Sequence, residues 1–390
     1  MFIYLANKFR RITSNQAYMA EIDGMRFLSL SLVTLFHIRG YFVEKTKLVF
    51  ADKISDYHWF NTFMEGADRS VPLFFAISGF ILCLPFANHY VKGGKPIELK
   101  NYYIRRVTRL EPPYFIVMII IFLAQIALHV YNFKTLFPSL LASLIYSHNL
   151  IYHTTPLVTV VAWTLEVEIQ YYIIAPFMFR ILKLSALARR TIITLAILGF
   201  VILQNVYPPT FLSIYAHIQH FLIGILIGDF YVCGVAKDFF KQKWMALVGL
   251  AVFLVMFFMP MTHIYGAQDI VAKLAFPFMI GFFYYIILNN DIVKAVFSFK
   301  FVPIIGGMCY TIYLLHYTVI SMLGKYTVNI RFTDYYLPNL MFQFVILMLA
   351  ILAISAVFYL YIERPFMDKK WVDKLMGKKP KEVPAKVETK

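Results

Sequence analysis

Cysteine is scarce: the 390 residues contain only Cys83, Cys233 and Cys309, far apart and in or beside apolar runs. So sparse a set excludes a disulfide framework and a cysteine-built zinc cluster. Acidic residues are also short, 21 Asp and Glu against 37 Lys and Arg, for a formal charge of +16. A surplus of that size fits nucleic acid in principle, but no RNA- or DNA-binding signature accompanies it. Positive charge on cytoplasmic loops and attraction to anionic lipid account for it instead. No internal repeat or low-complexity tract occurs, which argues against two pseudo-symmetric halves. A cleavable signal is not expected, because Lys8, Arg10 and Arg11 lead into a long span without a small-residue cleavage site. His217 and His220 are spaced i, i+3, but no carboxylate or thiol set completes a metal site, so none is expected.

What is present is apolar. Hydrophobic residues make up 60% of the chain and the mean hydropathy is +0.68, against about 45–50% apolar residues in a soluble domain. Candidate spans fall at 24–43, 71–90, 112–131, 163–182, 190–207, 211–232, 244–261, 270–288, 302–323 and 339–361. The fold class expected is an all-α, polytopic transmembrane helical bundle. Charge placement sets its topology. Six basic clusters (8–11, 92–109, 180–190, 237–243, 294–300 and the tail after Glu363) fall on one side if 136–152 does not fully cross. The positive-inside rule therefore favours about ten spans with both termini cytoplasmic. The opposite face receives 44–70, 132–162 and 324–338, and in the first of these Glu44, Asp52, Asp56, Glu65 and Asp68 offset the basic residues. The segment 136–152 is expected to be partly buried or re-entrant. A cytoplasmic segment 1–20, one membrane domain 21–366 and a Lys-rich, disordered cytoplasmic tail 367–390 make up the expected organisation, with no second globular domain after the last span.

Ionisable residues inside spans are functional candidates by default. Arg26 and His37 are eleven residues apart in the first span. Eleven steps of 100° return almost to the starting direction, so both share one helical face, about 16 Å apart along the axis. This reading puts Arg26 near a water boundary and His37 near the midplane. Arg26 is either a snorkelling cation or part of a site wall. His37 is too deep to snorkel, and imidazole is well suited to take a proton from a hydroxyl near neutral pH. Asp23 is read as the helix N-cap. Arg106 and Arg109, in the loop entering the third span, are spaced i, i+3 and form a phosphate-binding fork if helical. Gly79 reads as close helix packing, and Ser78 as a donor near a site. Glu166 and Glu168 point to different sides of a helix, and Glu168 shares a face with Tyr172. Trp163 reads as an interface anchor, and Glu363-Arg364 as a helix end. His316 is a second intramembrane histidine that could line the same cavity.

Together, and in this order, these segments resemble the acyltransferase family 3 integral membrane proteins over most of 20–366. The resemblance rests on Arg-x10-His (Arg26, His37), the Phe74–Phe80 run Phe-Phe-x-x-Ser-Gly-Phe, Arg-x-x-Arg (Arg106, Arg109), Trp-x-Leu-x-x-Glu (Trp163, Leu165, Glu168), Tyr-x-x-Tyr-Leu-Leu-His (Tyr310–His316) and Glu-Arg-Pro-Phe (Glu363–Phe366). Thr164 stands where a serine is usual and keeps its hydroxyl. Ile169 stands where a second glutamate is usual and weakens any role for paired carboxylates there. The resemblance implies O-acylation of a carbohydrate, glycolipid or other hydroxyl-bearing envelope molecule in the cytoplasmic (inner) membrane. The donor would be a cytoplasmic acyl-CoA, most often acetyl-CoA, and the acceptor would be reached from the outer side. Some relatives carry a fused esterase-like domain; none is expected here, so a second acyl-transfer step would need a separate extracytoplasmic partner.

The combined expectation is that Arg106 and Arg109, with Arg26 on the same wall and Ser78 nearby, hold the donor. His37 acts as general base or acyl carrier, and Glu168 and His316 orient it or the acceptor. The partners expected are acyl-CoA, the carbohydrate or glycolipid acceptor, membrane lipid and a separate extracytoplasmic acyl-transfer partner; nucleic acid is not expected. The competing reading is a multi-span transporter or flippase for an envelope glycan or lipid.

Overall fold

The computed structural model describes residues 9, 18–46, 50–261, 269–368 and 371. The basic cluster Lys8, Arg10, Arg11 and the Lys-rich tail, apart from residues 367, 368 and 371, lie outside the described residues. Among the described residues every regular element is helical. The longer helices are α1 (Ala20–Gly40), α2 (Ser70–Lys92), α3 (Leu99–Ala127), α4 (Phe133–Leu144), α5 (Trp163–Met178), α6 (Ala186–Val206), α7 (Ile214–Cys233), α8 (Met245–Phe258), α9 (Ile270–Asn289), α10 (Cys309–Thr327) and α11 (Tyr336–Phe358).

Among the described residues, six helical stretches are long and apolar enough to cross a membrane: Ile54–Lys92, Leu99–Ala127, Ala186–Val206, Ile214–Cys233, Ile270–Asn289 and Tyr336–Phe366. The other expected spans are helical but shorter or more polar. α8 has 14 residues and α5 has 16, rises of about 21 and 24 Å against a hydrocarbon core of about 30 Å. α1 carries Glu21, Asp23, Arg26 and Arg39, and α10 carries His316 and Lys325. Three of these four polar or short helices, α1, α5 and α10, bear candidate site residues, and ionisable side chains lower the hydropathy of the helix that carries them.

α7 sits at the centre and α6 at the rim, since 72% of the apolar window of α7 is buried against 22% of that of α6. α2 packs on α7 at backbone distance. A Cβ on Gly79 would lie 2.3 Å from the Phe221 carbonyl oxygen, and one on Gly224 2.3 Å from that of Ala76. Gly79 is therefore the packing residue its sequence context suggests. On the basic side, Asp229, fully buried on α7, accepts Arg189 at 2.7 Å and Arg190 at 2.6 Å, which ties α6 to α7.

The third helix departs from expectation. It starts at Leu99, thirteen residues before the expected span, and runs through Pro112 and Pro113. Arg106 and Arg109 therefore stand on a helix, not in a loop. Pro112 has no N–H to offer the Thr108 carbonyl, and the Trp371 indole Nε1 donates to that carbonyl instead, at 3.1 Å. The segment 136–152 consists of the end of α4 and a short helix, His148–Tyr152. With 12 residues, α4 rises about 18 Å, too short to cross. It folds onto α3 in a separate apolar cluster that includes Tyr114, Met118, Leu136 and Leu140.

Segments gather at two ends. At one end, Ala51 N donates to Asp334 O at 2.8 Å and Tyr336 N to Asp52 at 2.7 Å, so 44–70 meets 324–338. Arg69, buried, donates to the carbonyls of Met256, Met259 and Met261 and closes the C-terminal end of α8 there. At the other end, Lys294 pairs with Glu21 at 2.9 Å, and Asn290 donates to Phe240 and Gln242.

Candidate active site

α1 opens at Ala20, so Asp23 lies in its first turn and is not the N-cap; Met19 takes that position with no side-chain bond. Asp23 accepts Arg26 Nη1 at 2.5 Å, one turn further on. The pair is nearly buried, with the Arg26 side chain 16% exposed and that of Asp23 3%. Arg26 is thus held by a carboxylate and does not reach out to a surface. Beside it, a Cβ on Gly306 would fall 1.8 Å from the Asp23 carbonyl oxygen, so only glycine lets 302–307 lie against the start of α1.

These groups form part of the wall of a cavity of about 920 Å³. Its lining on α2 runs from Val71 to Phe86, an axial rise of about 22 Å. At one end stand Arg26, Arg105, Arg106 and Arg109, with Glu98, Phe366, Met367 and Asp368 at the rim. At the other stand Val71, Phe74, Phe75, Thr164 and Tyr313. Small-molecule pockets commonly have about 300–1,000 Å³, so this one suits a long ligand.

The i, i+3 spacing of Arg106 and Arg109 places both on the cavity wall, because the helix continues through them. Arg106 Nη1 donates to the Tyr102 carbonyl at 2.6 Å, and its guanidinium lies 3.5 Å over the Tyr102 ring. The Nε atoms of Arg106 and Arg109 are buried and have no hydrogen-bond partner among the described residues. Neither side chain forms an ion pair within 4 Å among those residues, in contrast to Arg26, Arg189 and Arg190. A buried donor without a partner is costly, and both of these Nε donors belong to side chains on the cavity wall.

Midway along the cavity, Glu168 accepts Ser78 Oγ at 2.5 Å and also Tyr172 Oη, through the same carboxylate oxygen. Ser78 therefore fixes Glu168 from across the cavity. Glu166, two residues earlier, points the other way. It is buried and accepts Asn149 N at 2.9 Å, Asn149 Nδ2 at 2.8 Å and Leu150 N at 3.2 Å. Glu166 anchors the short helix at 148–152 and takes no part in the cavity. Glu363 is no mere helix end: it is buried and accepts Thr311 N at 3.2 Å and Thr311 Oγ1 at 2.5 Å. That bond ties the π-helical turn Tyr359–Glu363, which follows α11, to the first turn of α10.

The two histidines meet each other but do not line the cavity. The rings of His37 and His316 lie 5.2 Å apart, and Tyr317 packs edge-on against His37 at 5.2 Å. His37 sits three residues from the end of α1 and so lies nearer that end than the middle of the helix. Lys45, just beyond α1, donates to Tyr317 Oη at 2.9 Å. His316 is fully buried, and its Nδ1 lies 2.7 Å from the Tyr313 carbonyl oxygen. A carbonyl only accepts, so the proton is on Nδ1 and Nε2 is an acceptor; Nε2 is buried with no partner among the described residues.

Tyr313 connects the two parts of the site. It lines the cavity, and its ring lies 5.4 Å from that of His316. Tyr313 went without a role in the sequence reading, although it precedes His316 by three residues and so shares its helical face. Arg105, one of the basic cluster at 92–109, also lines the cavity. His217 and His220 sit apart from the cavity lining. Their rings are 6.0 Å from each other and pack on Trp163, Phe75 and Phe276, so they belong to an aromatic cluster. Trp163 is part of that packing.

A family model described as an acyltransferase domain matches residues 19–360. The peptidoglycan O-acetyltransferase OatA of Listeria monocytogenes is 22% identical over 94% of this chain and 58% of its own length. The O-acetyltransferase OatA of Staphylococcus aureus is 23% identical over 90% of this chain and 58% of its own. The chain thus spans somewhat over half the length of these relatives. Solved structures offer no match.

Proposed function

The chain belongs to the acyltransferase family whose domain it matches, and from that premise we propose that it is a multi-pass membrane O-acyltransferase. In this reading it moves an acyl group, most often acetyl, from acyl-CoA to a hydroxyl of an envelope carbohydrate or glycolipid. The observation that carries the reading is the long cavity with buried guanidinium Nε donors that have no partner among the described residues at one end and a histidine pair just past the other. The names of the two relatives point to acetyl as the group, and that of the Listeria protein to a cell-wall polymer as the acceptor class.

Arg106 and Arg109 hold the donor phosphates, with Arg26, fixed by Asp23, adding positive potential on the same wall. The acyl thioester extends along the cavity past the Ser78–Glu168–Tyr172 cluster. His37 takes the proton of the acceptor hydroxyl. The acceptor oxygen then bonds to the acyl carbon, the carbon–sulfur bond breaks, and the thiolate receives the proton as free CoA thiol. In the acyl-carrier route the His37 nitrogen attacks first and releases the CoA thiol, and the acceptor hydroxyl then takes the acyl group from the imidazole. His316 is a positioning residue. Its Nδ1 is committed to the Tyr313 carbonyl, which leaves Nε2 as an acceptor able to receive a hydrogen bond from the His37 ring.

The same reading sets the topology: about ten crossings, both termini cytoplasmic, in the cytoplasmic membrane. The joining of 44–70 to 324–338 at one end of the bundle and of basic segments at the other supports it. His37, near the end of α1, then lies toward the outer face, and only the acyl group need cross to meet an outer acceptor.

The test is His37→Ala in the full chain, with acyl transfer followed by release of free CoA thiol and by mass analysis of envelope polymer. Loss of transfer with an unchanged thermal transition is expected. Full transfer by that variant would end the proposal. The transporter reading forbids turnover of acyl-CoA by the purified wild-type chain and is excluded by thiol release.

A further inference from the structure

The donor cavity stops short of the histidines. Its lining includes Phe74, Thr164 and Tyr313 but neither His37 nor His316. The rings of Phe74 and Tyr313 meet edge to face, centroids 5.8 Å apart and planes at 73°. Behind Tyr313 comes the His316 ring at 5.4 Å, and behind that the His37 ring at 5.2 Å. Phe74 and Tyr313 therefore stand on the side of the cavity that faces the imidazoles.

The two rings differ in freedom: Tyr313 is buried, while Phe74 is half-buried. Thr164 lines the cavity with them, and its Oγ1 donates to the Val161 carbonyl at 3.0 Å, which fixes its side chain. This end of the cavity is thus bounded by one buried ring, one ring with room to move and one fixed threonine.

We propose that Phe74 and Tyr313, with Thr164 beside them, form a gate between the donor cavity and the histidine pair and set the largest acyl group the protein transfers. The inference rests on the acyl-CoA reading above and adds to it the residues that determine acyl-chain specificity. Two carbons need little displacement of Phe74. A six-carbon chain needs the ring to leave, in a packed interior where added volume is costly.

The experiment measures CoA thiol release by the full-length chain in lipid nanodiscs from acetyl-, butyryl- and hexanoyl-CoA, with glycerol as the hydroxyl acceptor. Wild type is expected to favour acetyl over hexanoyl at least tenfold. Phe74→Ala is expected to raise the hexanoyl-to-acetyl ratio at least tenfold, and Thr164→Ser, which keeps the hydroxyl and removes the methyl, to raise it two- to fivefold. Phe74→Trp is expected to lower the butyryl-to-acetyl ratio. Phe74→Leu serves if Phe74→Ala does not assemble, as judged by gel filtration. Wild-type turnover with a chain preference that none of these variants moves would overturn the gate and leave the acyl-CoA reading intact. Wild type that uses all three donors equally would do the same. Absence of thiol release by wild type from every donor would overturn the acyl-CoA reading, and the gate with it.

Discussion

Replacing Arg106 should weaken the donor and leave the acceptor almost untouched. The guanidinium stacks 3.5 Å over Tyr102 and spends Nη1 on the Tyr102 carbonyl, while its buried Nε remains unpaired. A charge-assisted hydrogen bond contributes about 1.5–3 kcal/mol, which is roughly 10- to 100-fold in a dissociation constant at about 1.4 kcal/mol per factor of ten. Arg106→Ala should therefore raise the Kd of acetyl-CoA by about that factor, with little change in kcat at saturation. Arg106→Lys should recover only part of it, since an ammonium has no planar fork and stacks less well. Calorimetry on the nanodisc-embedded chain measures the Kd, with pantetheine, which lacks the nucleotide phosphates, as the control ligand. Equal losses for CoA and pantetheine would show that the arginine acts through packing alone. A Kd within twofold of wild type for both Arg106→Ala and Arg109→Ala would refute the reasoning.

Two further outcomes follow from single contacts. Glu168→Gln should lower kcat by about 10²-fold if the carboxylate acts in the transfer step, and Ser78→Ala, which removes one of its two donors, should cost less than Glu168→Gln; steady-state kinetics with saturating donor separates them. Gly79→Val should destabilise the bundle by at least about 1–3 kcal/mol, because even its Cβ would lie 2.3 Å from the Phe221 oxygen, and a lowered thermal transition reports it.

Much of the helix pattern was legible, and where it was not the cause is physical. Hydropathy marks α2, α6, α7, α9 and α11 because lipid or a dry interior surrounds them. It marks α1, α5 and α10 less well because each carries part of the site. Pro112 and Pro113 read as a helix start, since proline cannot donate in a helix interior. The group that compensates, the indole of Trp371, comes from 263 residues away and no local pattern announces it. The same distance problem hides the Ser78–Glu168 bond, 90 residues apart in sequence, although each residue stands out in its own motif. Asp23 looked like a cap because the helix seemed to open there; it opens at Ala20, and Asp23 is free to hold Arg26. Tyr313 was visible as one of many aromatic residues and gained meaning only when the cavity ended against it.

The unpaired guanidinium donors carry one more consequence, for stability. Buried Nε atoms on Arg106 and Arg109 without partners each cost about 1–3 kcal/mol relative to a satisfied donor. A phosphate-bearing ligand that satisfies them should stabilise the folded chain beyond what its apolar contacts supply. A ligand that binds only the native state adds RT ln(1 + [L]/Kd), about 2.7 kcal/mol at a hundredfold excess over Kd. CoA itself, with no acyl group and no acceptor present, should therefore raise the thermal transition of the wild-type chain in a concentration-dependent manner. Pantetheine at the same concentration should raise it far less, because it occupies the apolar stretch of the cavity and leaves both arginines unmatched. In the double variant Arg106→Gln, Arg109→Gln the difference between the two ligands should collapse. A wild-type transition that responds equally to CoA and pantetheine, measured by scanning fluorimetry, would mean that the guanidiniums are not the phosphate site, whatever the cavity holds.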